Sequence, residues 1–216
     1  MVPRSRGDRY FASVRLLMHM DGTAVDSSRY GVTFNEPPGS FTTSSKFGKA
    51  AYSVDNGQGL LSTTQAIPDI STGDWTVEAW VYRPTASSLY ANVVSLSASE
   101  DLEAFIGGLN VYIEQNGTVN SNNGLDSALS GGSVAVGQWA HIAAVMKAGT
   151  STLYVNGVPV DTGSQQAEPG PYYVAVGYVP AVGFTSDLVV DELRITSGVA
   201  RYTAAFTPAA GAFPSR

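Results

Sequence analysis

The chain of 216 residues contains no cysteine and only two histidines, His19 and His141. Disulfides, thiolate metal sites and thiol nucleophiles are excluded together, and any imidazole chemistry must use one of two positions. Charge is scarce as well: 14% of residues are charged, and 12 Lys and Arg against 18 Asp and Glu leave a net −6. No nucleic-acid partner is expected, because neutralising phosphates takes clustered basic residues, and only Arg4, Arg6 and Arg9 lie close together. Nothing approaches the run of about 18 apolar residues that membrane insertion needs. The polar start Met1-Val2-Pro3-Arg4-Ser5-Arg6 lacks the apolar core of a signal peptide, so synthesis in a cytoplasm is expected.

Turn formers are abundant. Glycine and proline, 23 and 11 residues, are about one residue in six. Between them, runs rich in Val, Tyr, Trp, Ile and Thr predict strands at 14–20, 51–54, 76–83, 91–97, 109–115, 139–147, 152–155, 158–161, 172–178 and 188–196. So many short strands in one domain require two packed sheets or a closed barrel. Asn116-Gly117 and Asn156-Gly157 each sit between β-like runs and predict hairpins, since both residue types tolerate positive φ. Pro159 lacks an N–H and belongs on an edge or at a bulge. In 75–82, Trp75, Val77, Ala79 and Val81 share one face, and Thr76, Glu78, Trp80 and Tyr82 the other. A strand apolar on both faces is central, and Glu78 within it needs a partner for its carboxylate. Longer connections are expected at 35–46, 67–73, 121–137 and 163–171, and short helical turns at 100–103 and 198–205.

Six segments occur together and in order: Leu16-Leu17-Met18-His19-Met20-Asp21-Gly22; Lys46-Phe47-Gly48-Lys49-Ala50; Gly73-Asp74-Trp75 through Tyr82; Gly137-Gln138-Trp139-Ala140-His141-Ile142-Ala143; Leu153-Tyr154-Val155-Asn156-Gly157; and Asp191-Glu192-Leu193-Arg194-Ile195 with Gly198 to Tyr202. This pattern resembles the laminin-G-like, concanavalin A-like lectin/glucanase jelly rolls. The last segment, running on to Phe206-Thr207-Pro208, is similar to the form found in bacteriophage structural proteins. The resemblance implies an all-β, two-sheet antiparallel jelly-roll sandwich over residues 13–216, preceded by an N-terminal arm of residues 1–12. It also implies a virion protein: an exposed capsid decoration or tail accessory, non-enzymatic, with weak binding to host-surface glycans. Its partners would be other virion proteins and further copies of itself, and a particle released by lysis needs no secretion signal. The alternatives are a carbohydrate-binding adhesion module and a glycoside hydrolase of the same fold.

Hydrolysis of glycosidic bonds takes two carboxylates about 5–9 Å apart, and the Glu-x-Asp-x-x-Glu strand of the glucanase branch is absent. With no thiols and few imidazoles, a metal would be a hard cation held by oxygen. The family places a structural Ca²⁺ near the Asp-Gly after the first strand and the late Asp-Glu strand, which here are Asp21 and Asp191; the alternative is that both carboxylates simply hydrogen-bond backbone. Sugar recognition would use aromatic faces with amide partners, making Tyr90, Asn92, Tyr112, Asn122, Tyr172 and Tyr173 the candidates. Arg4, Arg6 and Arg9, with Tyr10 and Phe11 as anchors, would dock the arm onto a neighbouring protein. Arg6-Gly7-Asp8 also matches the integrin-recognition tripeptide by sequence alone.

Overall fold

The computed structural model describes residues 7–35, 41–54, 60–68, 70–71, 73–86, 89–99, 108–123, 128–165, 170–177 and 187–216. Their strands are β1 (Val14–Met18), β2 (Phe34–Asn35), β3 (Phe41–Thr42), β4 (Ala51–Val54), β5 (Leu60–Thr63), β6 (Trp75–Tyr82), β7 (Ala91–Ser97), β8 (Leu109–Ile113), β9 (Val119–Asn122), β10 (Leu129–Gly131), β11 (Trp139–Lys147), β12 (Thr150–Val155), β13 (Val158–Gly163), β14 (Tyr173–Gly177) and β15 (Leu188–Ser197). They form two antiparallel sheets. Sheet A runs β13-β12-β11-β6-β15-β4-β3, with β1 also paired to β15, and sheet B runs β10-β9-β8-β7-β14-β5-β2. This is the two-sheet jelly-roll sandwich that the family resemblance implied, and one of the two solutions that the strand pattern left open.

One apolar core lies between the sheets. Trp75, Val77, Ala79 and Val81 of β6 face it, with Ile142 and Ala144 of β11, Leu153 and Val155 of β12, and Val94, Leu96, Val111 and Val174 from sheet B. The other face of β6 is covered too: Trp80 packs with Val14, Leu17 and Phe213, while Ala143, Val145 and Tyr154 pack against Ala200, Tyr202 and Phe206. The C-terminal segment therefore lies across the outside of sheet A, which is why a central strand can be apolar on both faces. No helical turn forms at 198–205; residues 100–103 lie outside the described residues.

The turn chemistry follows the sequence. Asn156 and Gly157 have φ of 52° and 78° and join Val155 directly to Val158, a two-residue hairpin. Pro159 lies on β13, the edge strand of sheet A, beside a register shift. Asn116-Gly117 sits instead in a wider turn closed by Glu114 N–H to Thr118 O at 2.8 Å, with only the glycine at positive φ. Five short strands (β2, β3, β5, β9, β10) were not in the sequence pattern; β9 and β10 occupy part of the long connection expected at 121–137.

Residues 8–12 of the expected arm are part of the domain. Asp8 N–H donates to Arg216 O at 2.8 Å, and its carboxylate meets Arg201 at 2.7 Å and Arg194 at 3.3 Å. Asp8 is thus spent inside the chain, which removes the integrin-like reading of Arg6-Gly7-Asp8. Phe11 packs beside Val14 and Trp80, and the Tyr10 ring lies 5.5 Å from the Arg201 guanidinium. The anchoring expected of Tyr10 and Phe11 on a neighbour is made on their own domain instead, because Asp8 ties the segment down. Arg9 is exposed, with its guanidinium 4.4 Å from the Tyr10 ring centroid; Arg4 and Arg6 lie outside the described residues.

Candidate functional site

Beneath the C-terminal segment lies a buried polar network built on Glu78. Its carboxylate accepts from Arg194 Nε at 2.9 Å and Tyr202 Oη at 2.7 Å, and His141 Nε2 stands 3.1 Å from Oε2. Burial alone would push Glu78 up, but the Arg194 guanidinium and the His141 hydrogen bond outweigh it and hold the carboxyl at about 2. A carboxylate held so low carries no proton to donate near neutral pH, so Glu78 is no general acid. Burial and the adjacent Glu78 carboxylate push the Tyr202 phenol up.

A second group gathers where β1 leaves sheet A. Within β15 the pairing slips between Asp191 and Arg194, and Glu192 adopts φ 54°. That bulge turns Asp191, Glu192 and Arg194 away from the core. Glu192 meets His19 Nδ1 at 2.9 Å and accepts the Phe213 N–H at 2.8 Å, and His19 Nε2 lies 2.8 Å from Ser215 Oγ. The Glu192 hydrogen bond raises the His19 pKa against its burial. This row ties the C-terminal segment to both β1 and β15.

Asp21, just after β1, and Asp191, on β15, which pairs with β1, both meet the 46–49 segment, as hydrogen-bond acceptors. Asp191 Oδ2 accepts the N–H groups of Lys46 and Phe47 at 2.8 and 3.0 Å, and Asp21 Oδ1 accepts that of Lys49 at 2.6 Å. Among the described residues no three His, Asp or Glu side chains converge on a shared metal position. The donor set does not fit Ca²⁺, which takes about six to eight oxygens. Asp191 Oδ1 is buried with no hydrogen-bond partner among the described residues, and burial pushes the carboxyl up, against the two amides, to about 6, so the fold favours its protonated form. The folded form thus binds this proton more tightly than the unfolded chain does, so the contribution of Asp191 to stability falls as pH rises from about 4 to about 6. Asp191→Asn keeps an acceptor for both amides and should flatten that part of the stability-versus-pH curve, measured by urea denaturation; an unchanged slope would refute the assignment.

The sugar-binding candidates are distributed by strand alternation. On sheet B, Asn92 pairs with Tyr112, Tyr112 with Asn120, Asn110 with Asn122, and Tyr173 with Ser97. Core-facing Val111 and Val174 alternate with these residues, so the set occupies the outer face. Tyr90 packs edge-on to Tyr112, with ring centroids 5.9 Å apart, and borders a small pocket with Glu114, Gln115 and Asn116. Tyr112, Asn122 and Tyr173 are half-buried, and Tyr90 is 38% exposed. Asn92 is buried, its Oδ1 accepting from Ser95. Tyr172 is corrected: it is 1% exposed and its ring belongs to the core, since its neighbour Tyr173 takes the outward position.

A larger concavity was not anticipated. On the outside of sheet A, Lys46, Phe47, Trp80, Trp139, Asn156 and the segment 208–210 line a pocket of about 410 Å³. The sequence carries a signal for it: the pocket residues from Lys46 to Asn156 come from four of the six segments that carry the family pattern.

Residues 55–200, two thirds of the chain, match the family model described as the concanavalin A-like lectin/glucanases superfamily, and the chain belongs to this family, in its laminin-G-type branch. Among solved structures, the botulinum neurotoxin serotype D binding domain aligns with a TM-score of 0.67 at 12% identity, over 87% of this chain and 48% of that one. The binding domain of botulinum neurotoxin DC in complex with SialylT aligns at 0.64 and 14%, over 86% and 48%. The sialidase of Trypanosoma rangeli aligns at 0.60 and 13%, over 86% and 30%. The chain spans half or less of these proteins, and at such identity the likeness is one of fold. No curated protein sequence matches this chain.

Proposed function

We propose that this chain is a virion surface protein, a capsid decoration or tail accessory, whose jelly roll binds host-surface glycans without cutting them. The observation that carries the glycan reading is the outer face of sheet B, where Tyr90, Tyr112 and Tyr173 stand beside Asn110 and Asn122 on neighbouring strands. Aromatic faces stack on sugar C–H groups and the amides read hydroxyls. The sialyl complex of one structural neighbour supports the same reading. The phage-type segment from Asp191 to Pro208 supports the virion setting, where copies would be arranged by the particle's symmetry. Against a hydrolase of this fold stands Glu78, which is ionised and enclosed by Arg194, His141 and Tyr202.

Tyr112→Ala should remove the glycan-array signals that persist in a Trp139→Ala background, with its melting temperature nearly kept because the ring is only half-buried. Array signals unaffected by the substitution would move the site elsewhere, and an empty wild-type array would refute glycan binding. Absence of the chain from purified particles of a virus encoding it would refute the virion setting.

A further inference from the structure

The pocket on the outside of sheet A differs in chemistry from the sheet B face. Its walls are aromatic: Phe47 and Trp80 meet edge-on with centroids 5.7 Å apart, and Trp139, half-buried, is tilted against Tyr82 at 5.5 Å. Its one charged wall residue is Lys46. The Lys46 ammonium lies 4.2 Å from the Trp80 ring centroid, and no carboxylate pairs with it among the described residues. In a chain of net charge −6, an ammonium with no ion pair, set over an indole in a concavity free of acidic side chains, is placed for an anion that also has an apolar face.

The remaining polar wall is Asn156. Its Oδ1 already accepts the His141 N–H at 2.9 Å, so what it offers a ligand is its amide N–H₂ donors. Both polar groups of the wall are donors. At about 410 Å³ the pocket is within the range of small-ligand sites, roughly 300–1,000 Å³.

We propose that this pocket binds an acidic sugar residue, a uronic or sialic acid type, with its ring face against Trp139 and its carboxylate on Lys46. A neutral sugar would stack equally well but leave Lys46 unpaired; a bare phosphate would pair with Lys46 but leave the aromatic walls unused. The site is on the opposite sheet from the Tyr90–Tyr112 face, so it stands independently of the glycan reading given there.

The test is a calorimetric titration of the full chain with a disaccharide ending in glucuronic acid and, in parallel, with its methyl ester. The wild type should bind the acid about tenfold more tightly than the ester, the scale of one charge-assisted hydrogen bond. Lys46→Gln should remove that preference and leave ester binding unchanged, Trp139→Ala should abolish both, and Tyr112→Ala should alter neither. Equal binding of acid and ester by the wild type would overturn the acidic specificity. No binding of either, or full binding by a Trp139→Ala protein whose circular dichroism and melting temperature match the wild type, would overturn the site. None of these results depends on the glycan array, so failure here and failure on sheet B are separately visible.

Discussion

Arg194→Ala should lower the melting temperature by roughly 10 °C, because removing one partner of a buried ion pair costs about 3–5 kcal/mol and each kcal/mol is worth about 2–4 °C in a domain of this size. The side chain of Arg194 is 6% exposed and its Nη2 is 2.7 Å from Glu78 Oε1, on a side chain with no exposure at all. Without Arg194, Glu78 keeps the His141 and Tyr202 contacts and a longer approach from Arg201 at 3.7 Å. Asp8 loses one of its two guanidinium partners in the same step. The double variant Glu78→Gln, Arg194→Met removes both charges and should lose less than Arg194→Ala alone. Equal losses would show that packing, not pairing, is at stake.

The same pair sets an acid limit. Glu78 titrates at about 2 in the folded chain against 4.5 for the ordinary glutamate. A depressed carboxyl stabilises the fold fully above its unfolded value, and that contribution is lost as pH falls from about 4.5 towards 2. Between about 4 and 6 the buried Asp191 acts in the opposite direction. Stability should therefore rise up to about pH 4.5 and lose part of that gain to Asp191 between about 4 and 6, as followed by urea denaturation at stepped pH; Glu78→Gln should blunt the acid limb.

How far the sequence could be read depends on the range of the interaction. The alternation of β6 revealed a central strand and a carboxylate in need of partners, because period two is a local property; it did not say that those partners would be Arg194 and His141 from the two neighbouring strands. Asn156-Gly157 announced its turn because both residues satisfy positive φ themselves. The bulge in β15 was hidden, since nothing in Glu192 signals φ of 54°, and without it Asp191, Glu192 and Arg194 could not all leave the core face. Tyr172 and Tyr173 look alike in sequence, and only register decides which faces outward. Strands of two to four residues such as β2, β3 and β9 carry too few residues to show a period and exist because a neighbouring strand offers its edge. The aromatic pocket needed four separated segments to meet, and the family pattern marked those segments without showing that they converge.

Phe213→Ala should be nearly as damaging as Arg194→Ala, for a different reason. A glycine-, alanine- and proline-rich tail has little of its own to bury, yet Phe213 is 2% exposed and packs with Val14, Leu17 and Trp80. Its ring also lies 3.8 Å from the Arg194 guanidinium, and its N–H donates to Glu192 at 2.8 Å. Truncating a buried phenylalanine costs about 3–5 kcal/mol. The loss should reach the pocket, because residues 208–210, five to three positions upstream, form one of its walls. Upstream of that wall the tail is held by Phe206 N–H on Gly157 O at 2.9 Å, where the Phe206 carbonyl approaches so closely that a Cβ on Gly157 would lie 1.9 Å from its oxygen. Phe213→Ala therefore releases the tail on one side of the wall only, and should weaken acidic-saccharide binding severalfold at temperatures where the protein remains folded. Leu61→Ala, a truncation in the sandwich core, is the control: it should lower the melting temperature comparably while leaving saccharide binding intact. A Phe213→Ala protein that melts with the wild type would mean that the C-terminal segment is not anchored by this ring.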